Sequence, residues 1–259
     1  MTATVPLGRF IWYELLTTDP AGAAAFYPAV LGWSAQEWQP APDAPPYTLF
    51  TDGTNPLSGM MALPEEAAGA PPHWLVYVST PDTDVTLGRA KKLGATVLAP
   101  PMDVPEIGRM AVLADPQGAA FAIYTPQAAG QEPSAVPPVG HVSWLELAAT
   151  EREAAFGFYQ ELFEWQKGDA FDMGPAGTYQ LFGHGEAPIG GVFDRPPEVP
   201  AANWMVYIRV ADLEGALARV TAHNGQVLNG PMEVPGGDRV AQCMDPQGAA
   251  FALHSMAAA

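Results

Sequence analysis

The chain of 259 residues carries 11 lysines and arginines against 28 aspartates and glutamates, a formal net charge of −17, with 15% charged and 48% hydrophobic residues. So acidic a surface repels phosphate backbones and anionic lipid, which sets aside nucleic-acid binding and peripheral membrane attachment. No apolar run reaches the roughly 18 residues of a membrane span, Met1 to Arg9 does not read as a secretory signal, and a lone Cys243 excludes an intramolecular disulfide or a multi-cysteine metal site, so a soluble, cytoplasmic protein is expected.

Phe10–Thr17 alternates as a strand, and Asp19 followed by Pro20 is a helix N-cap with proline at the first helical position. The helix is expected to run to about Leu31 and stop at Gly32, with Pro28 kinking or shortening it. Strands near 46–51 and 57–63 follow. The theme then restarts with a strand Trp74–Ser79, a cap at Asp82, a helix to about Leu93, and strands near 95–98, 109–114 and 119–125. From Pro126 to Val139 the chain is rich in Pro, Ala and Gln without a hydrophobic period, which reads as a linker. Beyond it Thr150 and Glu153 have the spacing of a capping box. A strand over 203–210, a cap at Asp212, a helix to about His223 and strands near 226–229, 239–244 and 249–255 complete the chain.

The second half repeats the first. Trp12-Tyr-Glu14-Leu15 and Trp144-Leu-Glu146-Leu147 lie 132 residues apart, as do Phe26-Tyr27 and Phe158-Tyr159, Trp33 and Trp165, and Tyr47 and Tyr179. At a spacing of 130, Trp74 matches Trp204, Tyr77 matches Tyr207, Arg109 matches Arg239, and Asp115-Pro-Gln-Gly-Ala-Ala-Phe-Ala122 recurs unchanged at 245–252. A period this long is a duplicated domain, since solenoid units span about 20 to 50 residues. The expected layout is α+β, a first domain over 1–126, a linker over 127–139 and a second domain over 140–259, with two βαβββ units in each.

A βαβββ unit with Phe-Tyr in its helix, an Asp just before it, Leu-Gly-Trp or Phe-Glu-Trp after it and a closing Asp-Pro-x-Gly hairpin resembles the vicinal oxygen chelate superfamily of glyoxalases, bleomycin-resistance proteins and extradiol dioxygenases. The Trp-x-Glu-Leu openings and Asp-Pro-Gln-Gly-Ala closings are similar to those of actinobacterial two-domain glyoxalase-like proteins. The resemblance covers Phe10 to Pro126 and His141 to Ser255. It implies paired units whose strands curl into a partly open barrel around a cleft, two clefts in this chain. It also implies metal ligands at positions that here hold Trp12, Leu75 and Ala122 in the first copy and Trp144, Met205 and Ala252 in the second, with a fourth near Met60–Met61 and Gly191–Val192. None of these side chains chelates a divalent metal, so no metal cofactor is expected and family-style Lewis-acid chemistry loses its basis.

Side chains two apart on a strand share a face, so Glu14 faces with Trp12, Glu146 with Trp144, and Tyr124 and His254 with Ala122 and Ala252. Tyr77 and Tyr207 on the central strands are expected to face inward as well. One reading is a ligand pocket walled by Trp12, Tyr77, Tyr124, Trp144 and Tyr207, in which Glu14 and Glu146 orient a ligand or act as bases, with a carboxyl pKa raised by desolvation. The other is that both glutamates satisfy backbone, Arg or Tyr groups inside the barrel. His254 pairs with Glu146 as acid and base, or is a solvent-accessible histidine at a strand end. Arg109 and Arg239 hold a ligand carboxylate or, the favoured option, pair with nearby acids. His73, His184 and His223 read as surface or capping residues, Trp33, Trp165, Phe26 and Phe158 as core, and Cys243 as a buried small hydrophobe.

Three functions compete. The first is metal-independent binding of a small aromatic or amphipathic molecule, for sequestration, resistance or sensing. The second is a lyase, isomerase or oxygenase-like enzyme with Glu14 or Glu146 as base. The third keeps a non-standard metal on Glu146, His254 and His141. A monomer or a homodimer fits any of them.

Overall fold

The computed structural model describes residues 5–39, 45–67, 69–128, 136–185 and 187–257. Residues 129–135 of the expected linker lie outside the described residues. Four βαβββ units follow one another. The first is β1 (Phe10–Thr17), α1 (Pro20–Leu31), β2 (Ser34–Trp38), β3 (Tyr47–Thr51) and β4 (Pro56–Ala62), and the second is β5 (His73–Ser79), α2 (Thr83–Lys92), β6 (Thr96–Val104), β7 (Gly108–Ala114) and β8 (Ala120–Pro126). The third is β9 (Val142–Ala149), α3 (Arg152–Phe163), β10 (Gln166–Asp172), β11 (Thr178–His184) and β12 (Ala187–Asp194), and the fourth is β13 (Asn203–Arg209), α4 (Leu213–Ala222), β14 (Gln226–Glu233), β15 (Arg239–Met244) and β16 (Ala250–Ser255). The strands form two eight-stranded mixed sheets of equivalent order, β2-β3-β4-β1-β5-β8-β7-β6 and β10-β11-β12-β9-β13-β16-β15-β14, neither closed into a barrel.

The helix starts follow local chemistry. Asp19 accepts from the Gly22 amide at 3.0 Å, Asp82 from Val85 at 3.0 Å and Asp212 from Gly215 at 3.0 Å, each satisfying an amide that the first helical turn leaves open. One expectation fails, and of the two effects expected of Pro28 the shortening is absent. Pro28 does not shorten α1, which continues to Leu31 and closes on Gly32 at φ 74°. A proline inside a helix, which loses a hydrogen bond and crowds the preceding turn, costs about 3 kcal/mol, and burial of Phe26, Tyr27 and Val30, at about 1.5–3 kcal/mol per large side chain, offsets it. The Thr150–Glu153 capping box does not form either. Glu151 is the N-cap and makes no side-chain cap bond. The Arg152 amide instead donates to Asp194 at 2.7 Å, the Thr150 hydroxyl takes a bond from Arg195, and Glu153 pairs with Arg152 and Lys167. A carboxylate brought in from β12 outcompetes the local cap.

By their contacts the residues gather into two compact units that do not follow the repeat. A middle unit takes Leu75 through β8 together with Leu145 to Trp204, and the described residues up to Ile11. A terminal unit takes Trp12 to Trp74, the described residues up to Trp144, and the chain from Met205. Each is built around the same polar thread through an aromatic core. In the terminal unit the Trp74 indole donates to the Tyr27 hydroxyl at 3.0 Å, Tyr27 donates to Asp245 at 3.0 Å, and the other Asp245 oxygen accepts the amides of Gln247, Gly248 and Ala249. In the middle unit Trp204 donates to Tyr159, Tyr159 to Asp115, and Asp115 accepts from Gln117 and Ala119. Trp33 donates to the Gly140 carbonyl in one unit and Trp165 to that of Gly8 in the other. Every polar atom of the thread has a partner, as burial demands. The identical Asp-Pro-Gln-Gly segments are turns, as expected, and also receive a tyrosine from the other copy.

The arginine that follows each thread closes the opposite helix. Arg219 donates to the Val30 carbonyl at the end of α1, and Arg89 to that of Glu161 at the end of α3, where a cation suits the helix dipole. Cys243, matching Leu113, is fully buried like it, and burial pushes its thiol up to about 12.

Candidate functional site

The opening strands place the two glutamates over glycines. Glu14 on β1 lies opposite Gly59 on β4, and Glu146 on β9 opposite Gly191 on β12, both in parallel register. A tyrosine from the neighbouring strand occupies the space that each glycine leaves. The Tyr47 hydroxyl donates to Glu14 Oε1 at 2.8 Å and the Tyr179 hydroxyl to Glu146 Oε1 at 2.8 Å. A Cβ on Gly59 would stand 1.7 Å from the Tyr47 oxygen, and one on Gly191 2.2 Å from the Tyr179 ring, so any larger residue would evict the tyrosine. In the first copy Trp12 adds a third member, its indole donating to the Tyr47 hydroxyl at 3.1 Å. Trp38 meets the Tyr47 ring edge-on at 5.7 Å, and Phe193 stacks on Tyr179 at 5.9 Å. Glu14 is 7% exposed; Glu146, Trp12 and Trp144 are half-buried. Tyr47 and Tyr179 are the residues that sequence reasoning missed here. Their signal was present, because both stand 33 residues after the glutamate of their copy.

The other expected residues fall into separate groups. In the middle unit Tyr77 is buried and meets half-buried Tyr124 edge-on at 6.2 Å, and Tyr124 donates to the Ile107 carbonyl. Burial raises the Tyr124 phenol. In the terminal unit Tyr207 is buried beside Ala252, with Gln242 donating to its hydroxyl at 3.3 Å. His254 uses both ring nitrogens, Nδ1 toward Ser143 Oγ at 2.8 Å and Nε2 toward Asp238 at 2.9 Å. His141 Nε2 lies 4.0 Å from Asp52. Arg109 pairs with Asp84 and Asp103, and Arg239 with Glu214, as favoured. His73 bonds the Pro71 carbonyl, His184 that of Gly8, and His223 is the C-cap of α4.

A cavity of about 310 Å³ in the terminal unit is lined by Gly22, Phe26, Ala222, His223, Asn224 and Gln247 among others. None of the expected site residues lines it. The Gln247 carbonyl oxygen at its wall is buried and unbonded among the described residues, whereas the matching Gln117 exchanges two hydrogen bonds with the Glu151 backbone.

Comparison with known proteins places both copies. Residues 12–124 match the family described as "Glyoxalase-like domain", and residues 139–253 match the "Glyoxalase/Bleomycin resistance protein/Dioxygenase superfamily". The chain is 30% identical over 247 residues to "Putative glyoxylase CFP32" of Mycobacterium tuberculosis, covering 93% of this chain and 92% of that protein. It is 33% identical over 273 residues to "Anthracycline biosynthesis protein DnrV" of Streptomyces peucetius, covering 98% and 94%. Among solved structures it is similar in fold to a Mn(II)-bound glyoxalase from Novosphingobium aromaticivorans, at a TM-score of 0.66 and 14% identity, over 97% of this chain and 83% of that one.

Proposed function

This chain belongs to the glyoxalase/bleomycin resistance protein/dioxygenase superfamily, and we propose that it binds a small planar aromatic or amphipathic molecule without a metal, through the paired glutamate and tyrosine of each copy. The observation that carries the reading is the Glu14–Tyr47–Trp12 cluster beside Gly59, repeated as Glu146–Tyr179 beside Gly191. Each presents a carboxylate already oriented by a phenol next to an aromatic wall, a surface suited to stack on a ring and accept from its hydroxyl or amine.

The metal-free part of the reading rests on donor chemistry. The positions that hold metal in other members carry Trp12, Leu75, Ala122, Trp144, Met205 and Ala252, and no group of three His, Cys, Asp or Glu side chains that could hold a metal occurs among the described residues. These residues do not fit a divalent cation, which takes several oxygen or imidazole donors. The anthracycline biosynthesis relative supplies the ligand class to try first, a polycyclic aromatic with phenolic hydroxyls.

Titration of tryptophan fluorescence with an anthracycline and with a non-aromatic amphiphile tests the proposal. Saturable quenching by either probe, weakened about tenfold or more in Glu14→Gln, supports it, and no saturable response to either, or one that Glu14→Gln leaves unchanged, rejects it. Turnover that Glu14→Gln or Glu146→Gln abolishes, with binding kept, would instead favour the alternative of a lyase, isomerase or oxygenase-like enzyme.

A further inference from the structure

The geometry points to a reactive centre separate from the glutamate–tyrosine pairs: Ser143, His254, Asp238 and Arg209 form a serine nucleophile with its base, its orienting acid and a polarising cation, suited to cleaving small carboxylic esters. The four lie in the terminal unit. Asp238 accepts from His254 Nε2 at 2.9 Å. A carboxylate only accepts, so Nε2 carries the ring proton and the Nδ1 lone pair faces Ser143 Oγ at 2.8 Å. The same hydroxyl lies 3.3 Å from the Tyr207 carbonyl, a longer bond than that to the imidazole, so the proton is held toward the base. Burial works against the charge on Asp238, yet the Ala257 amide and His254 outweigh it and hold its carboxyl below the ordinary aspartate range. The acid therefore stays ionised and orients the ring, the logic of any serine–imidazole–carboxylate relay.

Arg209 supplies the fourth part. It lies in parallel register beside His254, which puts both side chains on one face of the sheet, and its positive charge acts on Asp238. One guanidinium N–H is engaged by the Pro137 carbonyl, but the buried Nε–H has no partner among the described residues. A buried donor on a cation left without an acceptor is unfavourable, and an electron-rich carbonyl oxygen is the group that would satisfy it. His254 is 15% and Asp238 32% exposed, so the cluster is neither sealed in the core nor dissolved in solvent. The first copy has no equivalent: Ile11, Tyr124, Gly108 and Ser79 stand at the matching positions.

In the reaction, Ser143 Oγ forms a bond to the ester carbonyl carbon while its proton passes to His254 Nδ1. The carbonyl oxygen takes up negative charge beside Arg209. The ester C–O bond then breaks, and the leaving alkoxide takes the proton from Nδ1. Water, deprotonated by the freed Nδ1, attacks the acyl-Ser143, releases a carboxylic acid and restores the hydroxyl.

A fluorophosphonate probe tests the centre independently of any ligand for the glutamate–tyrosine pairs, because the serine oxygen displaces fluoride and keeps the phosphonyl group. Full-length protein is expected to gain one phosphonyl mass, mapped by peptide sequencing to Ser143. Labelling is expected to be absent in Ser143→Ala, about 100-fold slower in His254→Gln, and on the order of 100-fold slower in Arg209→Gln. Asp238→Asn is expected to slow it and Asp238→Glu to restore part of the rate, a pattern that a merely structural carboxylate would not give. Circular dichroism and the thermal midpoint confirm that each variant is folded. No label on Ser143 in folded wild-type protein, or labelling at an unchanged rate in folded His254→Gln, would overturn the proposal.

Discussion

The terminal and middle units solve the same internal problem in the same way and differ on their sheet faces. Both run an indole, a phenol and a carboxylate through the core, with the carboxylate drawn from the other copy. Outside that thread the terminal unit has His254 reaching Ser143 and Asp238, where the middle unit has Tyr124 closing on the Ile107 carbonyl. It also has Gln247 with an oxygen that finds no partner among the described residues, where the middle unit has Gln117 holding Glu151. The lesson is physical. A buried polar chain is stable only when every member is satisfied, so no single member changes cheaply, whereas half-buried strand ends tolerate exchange.

The largest effects should come from the threads. Asp245→Ala and Asp115→Ala each remove the acceptor of a tyrosine and of turn amides, and each should destabilise by about 3 kcal/mol or more in denaturant titrations. A small loss in one and a large loss in the other would break the equivalence of the units. Tyr27→Phe and Tyr159→Phe strand an indole N–H and remove one carboxylate donor, which should cost about 1–3 kcal/mol each.

Alkaline pH probes the same threads. Burial, and after it the charge of Asp245 or Asp115, raises the Tyr27 and Tyr159 phenols well above their ordinary value. The folded-state value exceeds the unfolded one, so this contribution is whole below pH of about 10 and is lost as pH climbs from there through the raised value. The double variant Tyr27→Phe/Tyr159→Phe should show a flatter decline of thermal midpoint above that pH, and an unchanged slope would contradict the assignment.

Smaller effects separate the copies further. α1 ends on Gly32 and α3 on Glu164, both left-handed, at φ 74° and 62°. Glu164→Gly should therefore stabilise by about 1 kcal/mol, while Gly32→Ala should destabilise by a similar amount. The least change is expected at Cys243, whose buried thiol should stay unmodified by aromatic disulfide reagents in the folded protein.

Much of this fold was legible because the chain states it twice. The repeat, the Asp caps and the Asp-Pro-Gln-Gly turns located both copies and most elements. What escaped was written in weak local signals. β2 and β10 are polar, mostly exposed edge strands, without the alternation that burial of one face imposes. β6 carries Pro100 and Pro101, which an edge strand accommodates and a periodicity argument rejects. The exchange of tyrosine and carboxylate between copies has no trace in local sequence at all, since Tyr27 and Asp245 are 218 residues apart.

The sites divide in the same manner. Glu14 and Glu146 were visible from strand parity and repetition, while their tyrosine partners were missed although the same repeat carries them. Ser143, Asp238 and Arg209 were not, because the first copy has no counterpart to draw the eye, and a serine and an arginine on separate strands meet an aspartate from the turn before β15 only in the folded chain.

The central claim, metal-free binding by the glutamate–tyrosine pairs, is tested most directly by one titration. Tryptophan fluorescence is followed as an anthracycline is added, in excess chelator, for the wild type and for Gly59→Ala/Gly191→Ala, whose new Cβ atoms push Tyr47 and Tyr179 off their glutamates. Saturable quenching that chelator leaves unchanged and the double variant loses is the predicted result. Quenching that chelator abolishes, or that survives intact in the folded double variant, would contradict it.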